Sequence, residues 1–160
     1  MRNNHSVINV HKKNNIKSEV VTQLLYGDTF KKLKKNGVWI KIKNDKDNYK
    51  GYIKDNKFPH NQKNTHKICS VSATLYSKPH NKCKIRNKLS FGSKIKVLEK
   101  KGDFYKFDNL WVKKKNLKKM NVVIKHPFYN IKKFINIKYK WGGKHYSGVD
   151  CSGLIQLCLN

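Results

Sequence analysis

A single cysteine near the end of this 160-residue chain carries the clearest chemistry in the sequence. Cys151 follows Asp150, and the apolar run that begins at Leu154 predicts a helix starting at the cysteine. A thiol at a helix start lies among unpaired N–H groups at the positive end of the helix dipole, which favours the nucleophilic thiolate. Asp150 is a good N-cap residue for this helix. The stretch predicts a nucleophilic cysteine, with a buried cysteine in an ordinary helix as the alternative.

The residues around this cysteine form a longer pattern. Tyr139-Lys140-Trp141-Gly142-Gly143 is followed, after a short loop, by Gly148-Val149-Asp150-Cys151-Ser152-Gly153. The pattern resembles the signature of the NlpC-type cysteine peptidases, which cut peptidoglycan stem peptides: Tyr-x-Trp-Gly-Gly, a loop, Gly-x-Asp-Cys-Ser-Gly and an apolar helix. The resemblance implies that Cys151 is the catalytic nucleophile and that Tyr139, Asp150 and Ser152 line the site for the substrate's amino end. It implies no cofactor and no metal.

A cysteine peptidase also needs a base, a group that orients the base, and an oxyanion site. The N–H group of Cys151 can supply part of the oxyanion site. In the family that the chain resembles, the base is a histidine on a sheet after the nucleophile, but no histidine lies between Cys151 and Asn160. His145, in the loop before Gly148, is the nearest one and is expected to contact substrate or solvent. We therefore expect a catalytic domain truncated after its nucleophile helix, and an inactive 160-residue chain.

The elements before this segment form an internal repeat. Residues 8–11 match residues 73–76 and residues 24–31 match residues 89–96 without a gap, and Trp39 and Ile42 match Phe104 and Phe107. Each copy contains short alternating strands around a hairpin signal such as Asn36-Gly37, which predicts a small barrel. This pattern resembles the bacterial SH3-like domains that precede NlpC-type catalytic domains.

The predicted fold class is mainly β with a C-terminal α part. Two tandem SH3-like small barrels precede the first helices of a papain-like α+β catalytic domain. The predicted segments are residues 5–58 (first SH3-like domain), 59–66 (linker), 67–118 (second SH3-like domain) and 119–160 (incomplete NlpC-type peptidase domain).

Several local expectations follow from the same patterns. Residues 7–10 are expected to form an edge strand, and residues 122–124 to pack between domains. Pro127 is expected to open a helix that ends at a left-handed Asn136, with an apolar face made of Phe128, Ile131, Phe134 and Ile135. Core packing is expected for Trp39, Tyr52, Phe104 and Trp111, and a surface groove position for Tyr26 and Phe91.

The composition is strongly basic. Lys and Arg number 37 against nine Asp and Glu, for a net charge of +28, and Arg2 and Arg86 are the only arginines. Such a surface attracts polyanions, but specific base reading relies on Arg and on Asn or Gln forks. The codon bias of an AT-rich genome accounts for the excess of Lys over Arg, but it does not explain why Glu is scarce. We expect no specific nucleic-acid partner, and non-specific nucleic-acid association is the weakest of the functional hypotheses.

The remaining signals concern compartment and cysteines. The first ten residues have no apolar core of a secretory signal and no run is long enough for a membrane span, so a cytoplasmic location is expected, or the cell wall or periplasm if the true start differs. This argues against a disulfide framework for the four cysteines. Two pairs, His66 with Cys69 and His80 with Cys83, could together bind zinc, although their repeat positions hold residues that bind no metal.

The leading hypothesis, from the resemblance, is a hydrolase of cell-wall turnover or recycling. It would cleave the D-γ-glutamyl–diamino acid bond of a peptidoglycan-derived peptide through a thioester on Cys151. The alternative is a non-catalytic SH3-like module that binds wall peptide or another polyanion and carries a vestigial catalytic segment. The oligomeric state is left open.

Overall fold

The fold is built from two five-stranded antiparallel sheets and a C-terminal helical part. It was obtained as a computed structural model that describes residues 1–122 and 126–159. The mainly β architecture with a C-terminal helix confirms the predicted fold class. Of the run expected to pack between domains, Val123 and Ile124 lie outside the described residues, and Val122 is exposed.

The first sheet has the strand order β2-β1-β5-β4-β3. Its strands are β1 (Val7–His11), β2 (Val20–Leu25), β3 (Phe30–Asn36), β4 (Trp39–Asn44) and β5 (Lys50–Lys54). Strand β1 pairs with β2 along its length and with β5 through His11 and Tyr52. The expectation of an edge strand at residues 7–10 is therefore wrong, because β2 and β3 occupy the edges.

The second sheet has the strand order β10-β11-β12-β7-β8, and a smaller sheet, β13-β6-β9, lies beside it. The strands are β6 (His66–Ile68), β7 (Ser72–Tyr76), β8 (Lys84–Ser90), β9 (Lys94–Ile95), β10 (Glu99–Lys101), β11 (Phe104–Phe107), β12 (Leu110–Lys113) and β13 (Leu117–Lys119). Written in reverse, the order of the five-stranded second sheet is β8-β7-β12-β11-β10, which has the same connectivity as β2-β1-β5-β4-β3 in the first sheet. The sequence repeat therefore corresponds to a repeated structure, with two units that we call the first and second β unit.

The turns of the repeat are also equivalent. Gly37 has a φ of +56° between β3 and β4, and Gly102 has a φ of +52° between β10 and β11. This left-handed conformation is unfavourable for residues with a Cβ, so the glycines at these positions allow the two-residue turn that the Asn36-Gly37 signal predicted.

Most of the aromatic side chains predicted to be in the core lie there. Trp39, Phe104 and Trp111 are buried, and Tyr52 is half-buried. Tyr26 and Phe91, both expected at a surface groove, are buried. Tyr26 nevertheless lines a cleft of about 320 Å³, so the groove expectation is wrong for Phe91. The pattern did not distinguish a groove from an interface between consecutive units.

Tyr26 and Phe91 occupy the same repeat position and each enters the core of the unit that follows it. Tyr26 lies edge-on to Phe107, with ring centroids 5.4 Å apart, in the core of the second β unit. Phe91 lies edge-on to Phe134, also at 5.4 Å, in the core of the C-terminal part. The three parts of the chain therefore share their apolar cores.

Polar contacts fix the Tyr26 ring in place. Its hydroxyl donates to the Asp108 carboxylate, which also pairs with the Arg2 guanidinium at 3.1 Å. Burial, together with the bond to Asp108, raises the pKa of Tyr26 well above its usual value, so the phenol stays a donor. The next residue, Gly27, has a φ of +81°, and a Cβ there would collide with the Lys94 carbonyl oxygen.

The C-terminal part contains little regular structure. A 3₁₀ helix, Pro127–Phe134, precedes a short hairpin of β14 (Lys144–His145) and β15 (Gly148–Val149), and α1 (Cys151–Cys158) follows. Of the apolar face expected on the first helix, only Phe134 is buried, because a 3₁₀ helix does not keep the spacing of an α-helix. Asn136 adopts the expected left-handed conformation, with a φ of +69°.

Within the described ranges, no helix has the length and apolar character that crossing a bilayer requires.

We predict that Tyr26→Ala lowers the free energy of unfolding by about 3 kcal/mol, because it empties an aromatic site in a core shared by both β units. Urea denaturation followed by tryptophan fluorescence measures the change. Tyr49→Ala is the matched control, since Tyr49 is 46% exposed. Equal losses in the two variants would contradict the proposed role of Tyr26.

Candidate active site

Helix α1 begins at Cys151 because Asp150 caps it. Asp150 has extended backbone angles, φ −94° and ψ 176°, and its Oδ1 accepts from the Gly153 N–H at 2.6 Å. The same oxygen accepts from the Ser152 hydroxyl at 2.9 Å, and Oδ2 accepts from the Gly142 N–H at 2.8 Å. One carboxylate thus holds the Trp-Gly-Gly turn against the start of the helix.

The structure brings three of the four predicted site residues to one cleft of about 220 Å³. Tyr139, Asp150 and Cys151 line it together with Phe134, Ile137, Val149 and Leu154. Ser152 is exposed beside the cleft, where its hydroxyl faces Asp150. A parallel bridge between Tyr139 and Val149 sets the position of the tyrosine. The cleft has an apolar floor and one carboxylate.

The thiol of Cys151 is presented to solvent at the rim of this cleft. Cys151 is exposed, whereas Cys158 on the same helix is 1% exposed and burial raises the pKa of its thiol. Among the described residues, no acceptor takes the Cys151 N–H. A nucleophile beside a free N–H at a helix start can attack a carbonyl carbon and stabilise the resulting oxyanion.

The first β unit supports the turn that precedes the cysteine. Gly142 has a φ of +67°, and a Cβ there would collide with the Val20 carbonyl of β2. The buried Gln23 side chain accepts from the Lys144 N–H at 2.8 Å through Oε1. Trp141 donates its indole N–H to Glu19 at 3.0 Å. Close packing on β2 explains why glycine follows the tryptophan.

A second set of polar contacts connects the helix itself to the first unit. The Lys144 side chain is 6% exposed, and its ammonium lies 3.2 Å from Gln156 Oε1 and 4.0 Å from Asp47 Oδ2. Lys46 donates to the Gln156 carbonyl at 3.2 Å. Sequence reasoning missed Gln23, Lys144 and Gln156. For Gln23 and Gln156, the available signal was a polar residue inside an apolar strand or helix, and no such signal marked Lys144.

His145 is not the loop residue that the sequence predicted. It lies in β14 and is 8% exposed, so the expected contact with substrate or solvent is wrong. Nδ1 shares a hydrogen bond of 2.8 Å with the Ser147 hydroxyl, while Nε2 is buried without a hydrogen-bond partner. Burial, and to a smaller extent Lys140, lowers the pKa of His145.

No histidine in the described part of the chain hydrogen-bonds the Cys151 thiol. A general base for Cys151 is therefore not part of the described geometry.

The pairs considered for zinc lie apart from this site. His66 Nδ1 bonds the Thr65 hydroxyl at 2.9 Å, and the Cys69 thiol faces the Lys115 carbonyl at 3.8 Å. Across residues 1–122 and 126–159, no three His, Cys, Asp or Glu side chains are grouped closely enough to hold a metal ion. All four cysteines are free thiols.

Comparison with known proteins supports the architecture. The family profile of the bacterial SH3 domain matches residues 6–58. No curated protein matches the chain. The crystal structure of an NlpC/P60 family protein from Bacillus cereus ATCC 10987, at 1.79 Å resolution, superposes with a TM-score of 0.81 over 98% of this chain and 70% of that one, at 15% identity.

The chain shares the fold of the part of that NlpC/P60 family protein on which it superposes. At 15% identity the likeness concerns the fold alone. The boundaries of the four predicted segments, and the roles of Cys151, Tyr139, Asp150 and Ser152, stay predictions.

We predict that Asp150→Ala lowers the free energy of unfolding by about 2 kcal/mol, because it removes a helix cap and leaves the Gly142 N–H unpaired. Chemical denaturation followed by far-UV circular dichroism measures it. Ser152→Ala, which keeps both backbone contacts of Asp150, should change the same free energy by less than about 0.5 kcal/mol. If the two variants are equally stable, the bridging role is wrong.

We also predict a pH dependence of stability that involves His145. Since burial lowers its pKa in the folded state, the unfolded chain binds more protons near and below its usual value of about 6.5. The contribution of His145 to stability is therefore complete above that pH and is lost as the pH falls below it.

The free energy of unfolding should decrease below the usual pKa of histidine in the parent chain and less steeply in His145→Gln. The exposed His60→Gln is the matched control. An identical slope in His145→Gln and the parent would rule out the assignment.

Proposed function

We propose that this chain is a member of the NlpC-type cysteine peptidases, which act on peptidoglycan stem peptides during cell-wall turnover or recycling, and that the 160-residue form binds such a peptide without hydrolysing it. The observation that carries the proposal is the exposed Cys151 at the first position of α1, in a cleft that it shares with Tyr139 and the capping residue Asp150. The NlpC/P60 fold supports it.

The reaction would proceed through an acyl-enzyme. The Cys151 thiolate attacks the carbonyl carbon of the D-γ-glutamyl amide, and the Cys151 N–H stabilises the oxyanion. The C–N bond breaks, the diamino acid leaves with a proton from the base, and a thioester remains. Water then adds to the thioester, which releases the carboxylate product and restores the thiol.

The substrate's amino end is proposed to bind at Tyr139, Asp150 and Ser152. An ammonium group next to the Asp150 carboxylate would gain charge complementarity. Three hydrogen bonds already orient this carboxylate, and carboxylate oxygens retain further acceptor capacity. Short peptides with a free amine, such as fragments recycled in the cytoplasm, are therefore the proposed substrates.

The base is the component that the described residues do not provide at Cys151. We therefore expect the 160-residue chain to bind the wall peptide and to react with thiol reagents at Cys151, but not to hydrolyse the peptide. A second candidate function is a non-catalytic module that binds wall peptide, which the SH3 match and the same lack of a base favour.

We predict that iodoacetamide alkylates Cys151 much faster than Cys158, because only the former is exposed. Peptide mapping by mass spectrometry gives the rates, and Cys151→Ser is the control. If Cys151 reacts no faster than Cys158, the thiol is not presented as the peptidase proposal requires.

Calorimetry with a γ-D-glutamyl–diamino acid tripeptide tests the binding site in the same chain. Asp150→Asn should weaken binding about tenfold, as expected for one lost charge-assisted contact, whereas an N-acetylated tripeptide should bind weakly to the parent and the variant alike. If neither Asp150→Asn nor N-acetylation of the tripeptide changes the affinity, the proposed amine site is excluded and the non-catalytic module is favoured.

Turnover of the tripeptide by this chain, lost in Cys151→Ser, would show that it carries its own base.

A further inference from the structure

A basic cleft on the second β unit has no role in the proposed reaction. Its volume is about 500 Å³, and it is lined by Asp103, Lys113, Lys114, Lys115 and Leu117. We propose that this cleft binds a linear phosphate polymer that carries no bases, such as a polyphosphate or polyphosphodiester chain. The proposal is independent of the chemistry at Cys151.

The internal repeat provides a comparison for this cleft within the same chain. The Lys114 N–H donates to the Asp103 carbonyl at 2.8 Å, and at the equivalent place in the first unit the Asp55 N–H donates to the Val38 carbonyl, also at 2.8 Å. Strand pairing gives the same alignment, because Lys113 pairs with Phe104 as Lys54 pairs with Trp39. Lys113 and Lys114 are therefore structurally equivalent to Lys54 and Asp55, and after this point residues 114–116 form a 3₁₀ helix that residues 55–57 of the first unit do not form.

The charges at these equivalent positions differ. The first unit has Lys54-Asp55-Asn56, and Asp55 pairs with Lys35 at 2.8 Å and with Lys32 at 3.3 Å. The second unit has three consecutive lysines, Lys113 to Lys115. Lys, Asp and Asn all use AT-rich codons, so codon bias does not explain why the second unit has lost the acid. At these three aligned positions, the run of positive charge occurs in the second unit and not in the first.

The three lysines are presented in different ways. The Lys113 ammonium lies 6.0 Å from the centroid of the Tyr76 ring and 5.8 Å from that of Phe104. Both rings therefore make cation–π contacts with this side chain. Lys114 and Lys115 are exposed. No ion pair involves these lysines or Asp103 among the described residues. Their charges are therefore available to an external anion.

The composition of the cleft selects among polyanions. Lysine ammonium groups attract phosphates as point charges, without the planar fork that arginine offers. Single-stranded nucleic acids are held by base stacking on exposed aromatic rings, whereas Tyr76, Phe104 and Trp111 are at most 8% exposed. Leu117 is the one apolar residue in the lining of the cleft. A flexible phosphate chain without bases fits these properties best.

The test compares two variants with the same change in charge. Lys114→Asp with Lys115→Asn transfers the first unit's residues to the cleft. Lys31→Asp with Lys34→Asn makes the same change at exposed positions of β3. Fluorescence anisotropy with end-labelled linear inorganic polyphosphate measures binding over a range of salt concentrations, and mixed-sequence single-stranded DNA with the same number of phosphates serves as competitor.

We expect the cleft variant to bind polyphosphate about tenfold more weakly. In a plot of the logarithm of the binding constant against the logarithm of the salt concentration, the slope should decrease in magnitude by about one for each lysine replaced. The control variant should keep most of the affinity, and DNA should compete less well than unlabelled polyphosphate. Equal losses in the two variants would show attraction by total charge and overturn the proposal. DNA that binds the cleft as tightly as polyphosphate would overturn the choice of ligand.

Circular dichroism melts establish that both variants fold. If the double cleft variant does not fold, the single variants Lys115→Asn and Lys34→Asn are compared instead. The loss in the salt-dependence slope should then be half as large for Lys115→Asn. Equal losses in the two single variants, or DNA that binds as tightly as polyphosphate, would again exclude the proposal.

Discussion

The structure depends on one repeated contact, an aromatic ring that leaves its own β unit and completes the core of the next. Tyr26 does this for the second β unit, and Phe91 does it for the C-terminal part. Units of roughly fifty residues bury too little apolar surface to be very stable alone, so a shared core stabilises both partners. The glycine after Tyr26 permits the close approach of the two backbones that the shared core requires. Removing either ring would weaken two units at once.

The same contact sets the position of the proposed nucleophile. The core around Phe91 also contains Leu25, Phe134, Val149 and Leu157, so residues from both β units pack under α1. Polar contacts then fix the remaining freedom: Gln23 holds the backbone before the helix, and Lys144 connects the helix to the loop between β4 and β5. An eight-residue helix would be unstable in isolation, and here its orientation comes from the surrounding units.

Local chemistry made part of this predictable. The asparagine and glycine turn signals, the Asp150 cap and the left-handed Asn136 all depend on neighbouring residues, and each was found where the sequence placed it. The errors concern contacts between distant residues. Tyr26 and Phe91 look like surface residues beside a turn because their partners belong to the next unit. His145 looks like a loop residue because its burial comes from the packing of the hairpin against the first unit.

The sequence alone determined the repeat, the mainly β fold class and the cysteine at a capped helix start, since these follow from periodicity, turn chemistry and the short-range hydrogen bonds of Asp150. Only the tertiary structure decided which aromatic residues join the units, which polar side chains are buried against the nucleophile helix, and that Tyr139 and Cys151 share a cleft. It also showed that two equivalent backbones carry different charges at Asp55 and Lys114. These properties depend on pairs of residues far apart in the chain, whose contacts exist only after the units have packed together.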